Sequence, residues 1–133
     1  MPDEPADDFH NVLFSYTRKQ AIEDGVLADV SEIAKEAGFK LPVAVTCRVW
    51  AEVVTPTEDE KAQWGQSESG RLWDVLQLLR AAIRQAPDAS VDQVAFSVLI
   101  QRSIGMEEVA LRAVCGPGDD PAPVITIMAP DED

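Results

Sequence analysis

The chain is short of the residues on which most site chemistry depends. It has a single histidine, His10, and two cysteines, Cys47 and Cys115, which stand far apart and outside any CxxC or Cys/His spacing. Neither a zinc site nor a dithiol redox pair is therefore indicated. No G-x-S-x-G elbow, H-E-x-x-H pair or glycine-rich phosphate loop occurs, and a thiol nucleophile would lack a histidine held on the scaffold, so catalysis is not expected. Apolar runs of membrane-spanning length are missing too, and the first residues are acidic and proline-containing where a secretory leader would be basic and then greasy. The expectation is a cytoplasmic protein with reduced thiols, no cofactor, no metal and no membrane partner.

Basic residues are the other scarcity. Eleven Lys and Arg face 24 Asp and Glu, for a formal net charge of -13. Affinity for a nucleic-acid backbone rests on cations displacing counterions, so DNA or RNA as a direct ligand is excluded on charge, and a basic protein surface becomes the natural partner. The acids cluster. Asp3, Glu4, Asp7 and Asp8 lie near one end, Asp131, Glu132 and Asp133 at the other, and Glu58, Asp59 and Glu60 between them.

With 46% apolar residues, the chain can bury the core of one domain. Residues 1–11 have few apolar anchors and are expected to form a flexible acidic arm, leaving 12–133 as a single domain with a short acidic tail. Thr17 followed by Gln20 predicts a capping box opening a short helix that Gly25 stops in a left-handed turn. Val26, Ala28 and Val30 suggest a brief extended stretch, and Ser31 predicts the cap of a second helix reaching Gly38. From Val43 to Val54, bounded by Pro42 and Pro56, the placing of Val45, Val49, Trp50 and Val53 favours a third helix, with a strand as the alternative because of the β-branched content. The polar segment from Thr55 to Ser69 reads as a loop with one helical turn.

Leu72, Val75, Leu76, Leu79 and Ile83 then recur at three and four positions, which predicts a long helix with one apolar face ending at Pro87. Beyond it the period becomes two. Val94, Phe96, Val98 and Ile100 share one strand face, Val109, Leu111, Ala113 and Cys115 share the next, and Val124 to Met128 supplies a third. The predicted fold is α+β, with N-terminal helices packed on a C-terminal three-stranded antiparallel β-meander.

Four stretches together carry a resemblance: TRKQAIEDGVLADVSEIAKEAGF from Thr17, PVAVTCRVW from Pro42, ESGRLWDVL from Glu68, and VCGPGDDPAPVITIMAPDED from Val114. They resemble a family of small acidic bacterial proteins of uncharacterised function associated with plasmids and integrative mobile elements. The resemblance brings no catalytic residues. The setting it implies resembles that of acidic inhibitors that occupy nucleic-acid channels of host defence complexes, of the anti-CRISPR or anti-restriction kind.

Three features are candidate binding sites. The Cys115 to Asp120 loop offers Asp119 and Asp120 to a partner's arginines or to a hard cation, against the plainer reading of a sheet turn whose glycines, Gly116 and Gly118, supply positive φ. Trp64, isolated in a polar segment, is either a cap over the core or an anchor for a partner, whereas Trp50 and Trp73 read as core or core-edge packing. Glu58, Asp59, Glu60, Asp131, Glu132 and Asp133 either steer a basic partner as phosphate mimics or only keep the protein soluble. Arg71 is expected to make a surface pair with Asp74, one turn along the helix from it.

The resulting expectation is a non-enzymatic factor binding the basic surface of a host or element-encoded protein complex through Glu58, Asp59, Glu60, Trp64, Asp119, Asp120, Asp131, Glu132 and Asp133. The alternatives are a maintenance or transfer accessory of the element, and a small metal-dependent enzyme using the Asp119/Asp120 loop. A homodimer through an open strand edge is a further expectation.

Overall fold

The computed structural model describes residues 17–86 and 92–132. The acidic arm expected at 1–11, and Asp133, lie outside them. Helix α1 (Arg18–Glu23) opens with the expected Thr17/Gln20 capping box and is followed by a left-handed Gly25 at φ 80°. Strand β1 (Leu27–Asp29) and helix α2 (Ser31–Glu36) follow. Ser31 is the first helical residue, not the cap; its hydroxyl donates to Asp29 and accepts from the Val43 amide, tying β1 to the next strand.

The segment from Val43 to Val54 is divided, not one helix. Val43–Thr46 forms strand β2, Thr46 caps a single turn α3 (Cys47–Val49), and this widens into a π-helical turn over Trp50–Val54 closed by Thr55 N–H on the Trp50 carbonyl. The reason lies in the burial of β2. Val43, Ala44 and Val45 are all fully buried, so the strand shows no apolar/polar alternation and cannot be told from a helix by periodicity.

The expected loop after Thr55 contains a full helix, α4 (Glu58–Trp64), opened by a second capping box in which Thr57 accepts from the Glu60 amide and Glu60 accepts from the Thr57 amide. Helix α5 (Glu68–Gln85), capped by Ser67, is the long amphipathic helix of the sequence pattern. Strands β3 (Gln93–Arg102), β4 (Gly105–Pro117) and β5 (Pro123–Met128) complete the chain.

The C-terminal meander exists, but it is part of a larger sheet. Five strands lie in the order β1-β2-β5-β4-β3, with β2 parallel to β5 and every other pair antiparallel. The three-stranded sheet expected from the sequence is thus corrected to a five-stranded mixed one within the same α+β class. Leu72, Val75, Leu76 and Leu79 of α5 pack in one core with Val43 and Val45 of β2, Ile125 and Ile127 of β5, Leu111 of β4, and Val98 and Ile100 of β3. Cys47 and Cys115 are both free.

Candidate functional site

Two surface hollows open where α4 hands over to α5. Ser67 is extended, so the chain leaves Gly65, turns, and enters α5 with its first residues facing α2 and the π-turn. Between them lies an open cleft of about 530 Å³ lined by Ile33, Trp50 and Leu72 on its apolar side and by Lys61, Gln66, Ser67 and Glu68 at its rim. A second hollow of about 410 Å³ also borders on Ile33, Gln66 and Ser67 and reaches Trp73 and Asp74. Glu58 is almost fully exposed at the start of α4, where it holds Lys61 at 3.7 Å, and Asp59 beside it faces solvent. Trp64, at the far end of α4, is 45% exposed.

Beneath this surface sits a buried ion pair that the sequence spacing did not reveal. Arg71 is only 2% exposed and Glu60 3%, and their side chains meet at 2.8 Å. The guanidinium also donates to the carbonyls of Gln101 and Val53 and to Gln66 Oε1. One cation thus joins α4, α5, the π-turn and β3, and its bonds supply the compensation that a buried charge requires. The Thr57 amide and Arg71 together hold the Glu60 carboxyl below the usual carboxylate range against the opposing effect of burial. Two expectations are corrected here: Arg71 is not on the surface and its partner is Glu60, not Asp74, while Glu60 faces the interior with its carboxylate already engaged. The Thr57/Glu60 capping-box spacing was the available signal for both α4 and the inward turn of Glu60.

The remaining acidic candidates also hold the fold together. Asp119 accepts from the amides of Arg18 and Lys19, capping α1 from a hundred residues away. Asp120 accepts from the Ala122 amide within its own turn. The turn glycines, expected to supply positive φ, do not; Gly116 is a strand residue of β4, and a Cβ on Gly118 would come within 2.9 Å of Val124. Asp131 bonds Arg48 at 2.9 Å, which holds its carboxyl below the ordinary range and raises the guanidinium. Glu132 accepts from the Thr46 hydroxyl and the Ala129 amide, and Arg112 donates to its carbonyl. The segment expected as an acidic tail is therefore stitched to β2, α3 and β4.

Other candidates fall apart from the cleft or at its edge. Trp50 lines it half-buried, and Trp73 is 38% exposed at the second hollow. Arg80 packs its guanidinium against Gly38, where a Cβ would come within 2.6 Å. Arg18 bridges to the opposite sheet face, donating to Thr126 Oγ1 and the Ile125 carbonyl, and its burial lowers its pKa. Among the described residues no group of three or more His, Cys, Asp or Glu side chains is placed to hold a metal ion, and no helix is long and apolar enough to cross a membrane.

The α+β fold and a surface cleft with Glu68 and Lys61 in its lining are what the structure defines. Residues 7–133 match the model of a family of unknown function (DUF6573), and the chain belongs to that family. No curated protein and no solved structure matches the chain.

Proposed function

We propose that this protein is a non-enzymatic binding factor that receives a basic segment of another protein along α4 and in the cleft beneath it. The observation that carries the reading is an apolar hollow, walled by Ile33, Trp50 and Leu72, with Glu68 in its lining, Asp74 in the lining of the adjoining hollow and Asp59 exposed on α4, the last two with no role in the fold's own hydrogen bonding among the described residues. Glu58 on α4 adds a further exposed carboxylate, paired with Lys61 of the cleft rim. Apolar anchors give such a contact its residence time, and the surrounding charge gives it steering and selectivity. The net charge of -13 extends the attraction beyond the contact itself.

The finer part of the proposal concerns the partner. A basic surface evolved to hold a phosphate backbone is one that clustered carboxylates can occupy, so the partner class is a nucleic-acid-processing protein, and the proposed action is its inhibition or modulation. A mobile-element setting, with a host CRISPR or restriction complex as target, is the specific form of this proposal. Affinity capture from the native host, followed by titration of the purified co-eluting protein at low and high salt, tests it. Binding that weakens as salt rises is expected. Affinity indifferent to salt would remove the charge mimicry even with binding intact, and recovery of only element-encoded replication or transfer proteins would make the protein an accessory of the element.

A further inference from the structure

The two edges of the sheet are built differently. β1 is three residues long and carries Asp29, both features that discourage another strand from adding to it. β3 at the opposite edge has ten residues, no proline, no lysine and an unbroken register with β4 from Gln93↔Val114 to Arg102↔Gly105. Arg102 is its only charged residue.

Two backbone contacts tell which of its groups face outward. The Asp92 carbonyl accepts from Cys115 N–H of β4, so the even-numbered residues pair within the sheet. The Gln101 carbonyl accepts from Arg71 instead, so the odd-numbered ones point away from β4. The amides and carbonyls of Ala95, Ser97 and Leu99 are therefore directed to the open edge, and no other described strand lies beyond them.

The sequence along this edge is self-complementary. Outward from Ser97, Phe96 matches Val98, Ala95 matches Leu99, Val94 matches Ile100, Gln93 matches Gln101, and Asp92 matches Arg102. We propose that two copies of this chain pair antiparallel through β3 about a two-fold axis at Ser97, joining their sheets into one. An isologous contact requires that residue i meet j while j meets i, and this strand meets it with apolar residue on apolar residue, while Arg102 at its end is already held by Glu107 and the Glu52 carbonyl. Ser97 and its copy, and Ala95 and the copy's Leu99, then exchange both backbone bonds as narrow antiparallel pairs. Leu99 is 59% exposed in the single chain. Each copy carries a net charge of -13, so the bodies repel while the strands match. Salt consequently strengthens this association, the opposite of its effect on a basic partner.

Sedimentation of the full chain from micromolar to millimolar concentration, at low and high salt, tests the proposal. The expected result is a shift from the 14.5 kDa chain to twice that mass, favoured by salt, and lost in Leu99→Lys and in Ser97→Pro, which removes an outward amide. A Ser97→Cys variant on a Cys47→Ser/Cys115→Ser background reads the register directly. Narrow pairs place Cα atoms about 5.5 Å apart, within the span of a disulfide. Oxidation should link two copies of the Ser97→Cys variant and not two copies of an Ala110→Cys variant, whose position on β4 pairs with Ser97 inside the sheet. A chain that stays at its monomer mass throughout, or a dimer that survives Leu99→Lys and fails to link through position 97, would overturn the pairing.

Discussion

The acidic cluster on α4 and the acidic residues of the C-terminal third are alike in composition and opposite in use. Asp119 caps α1, Asp120 closes its own turn, Asp131 holds Arg48 and Glu132 holds Thr46 and Ala129. In the cluster on α4 only Glu60 is consumed in this way, while Glu58 and Asp59 remain at the surface. Carboxylates counted equally in a net charge are thus divided into those that tie chain segments together and those that can meet a partner. The comparison predicts two kinds of variant: substitutions that unfold and leave the surface charge almost unchanged, and substitutions that do the reverse.

The largest effect is expected at the buried pair. Arg71→Met leaves Glu60 buried without its cation and frees the carbonyls of Gln101 and Val53, so stability should fall by about 3–5 kcal/mol in chemical denaturation. A double variant, Glu60→Met with Arg71→Met, removes both charges and should recover a large part of that loss. A double variant no more stable than Arg71→Met would mean that the guanidinium's bonds to the backbone, not its pairing with Glu60, dominate.

Acid reads the same pair without mutation. The folded-state pKa of Glu60 is depressed, so the stability it contributes is complete above the unfolded carboxylate value of about 4.3 and is lost as pH falls through the lower folded value. Unfolding measured from neutral pH downward should therefore steepen below that point. Glu60→Gln, which cannot titrate, should flatten the slope although it lowers stability at neutral pH. An unchanged slope would assign the acid sensitivity to other carboxylates.

Removing Asp119 should have a smaller effect. Asp119→Ala withdraws the acceptor from two amides at the start of α1 and should cost about 1 kcal/mol, as the loss of a helix cap does. Amide exchange at Arg18 and Lys19 should accelerate more than exchange in α5. Equal acceleration in both would show that the turn supports the whole fold instead of one helix end.

This division was only partly open to the sequence. The long helix was plain because Leu72, Val75, Leu76 and Leu79 keep a single face, and the β3 and β4 strands were plain because each alternates with one face toward the core. β2 was hidden by burial on both faces, and with it the fact that the sheet has five strands and not three. Contacts across a hundred residues, such as Asp119 with α1, leave no local pattern. Arg71 illustrates the limit most directly: Asp74 stands at the better helical spacing, yet the fold brings Glu60 to it from another helix, and only that encounter makes burial of the cation tolerable.

The last prediction concerns the carboxylates that were left at the surface. Glu58→Gln with Asp59→Asn removes two charges from the first turn of α4, where each favours the helix by about 0.3–1 kcal/mol at low salt. The unfolding temperature should fall much less than for Arg71→Met, because the Glu58–Lys61 pair is solvent-exposed and Glu60 keeps its buried partner. Against the captured basic partner the same variant should associate more slowly at low salt and converge with the parent as salt rises, since steering is what these charges provide. Asp119→Asn with Asp120→Asn is the control of equal charge change at residues engaged by the fold, and it should leave the association rate closer to that of the parent. If the two variants slow association alike at low salt, the partner responds to net charge and the surface of α4 has no special place in recognition.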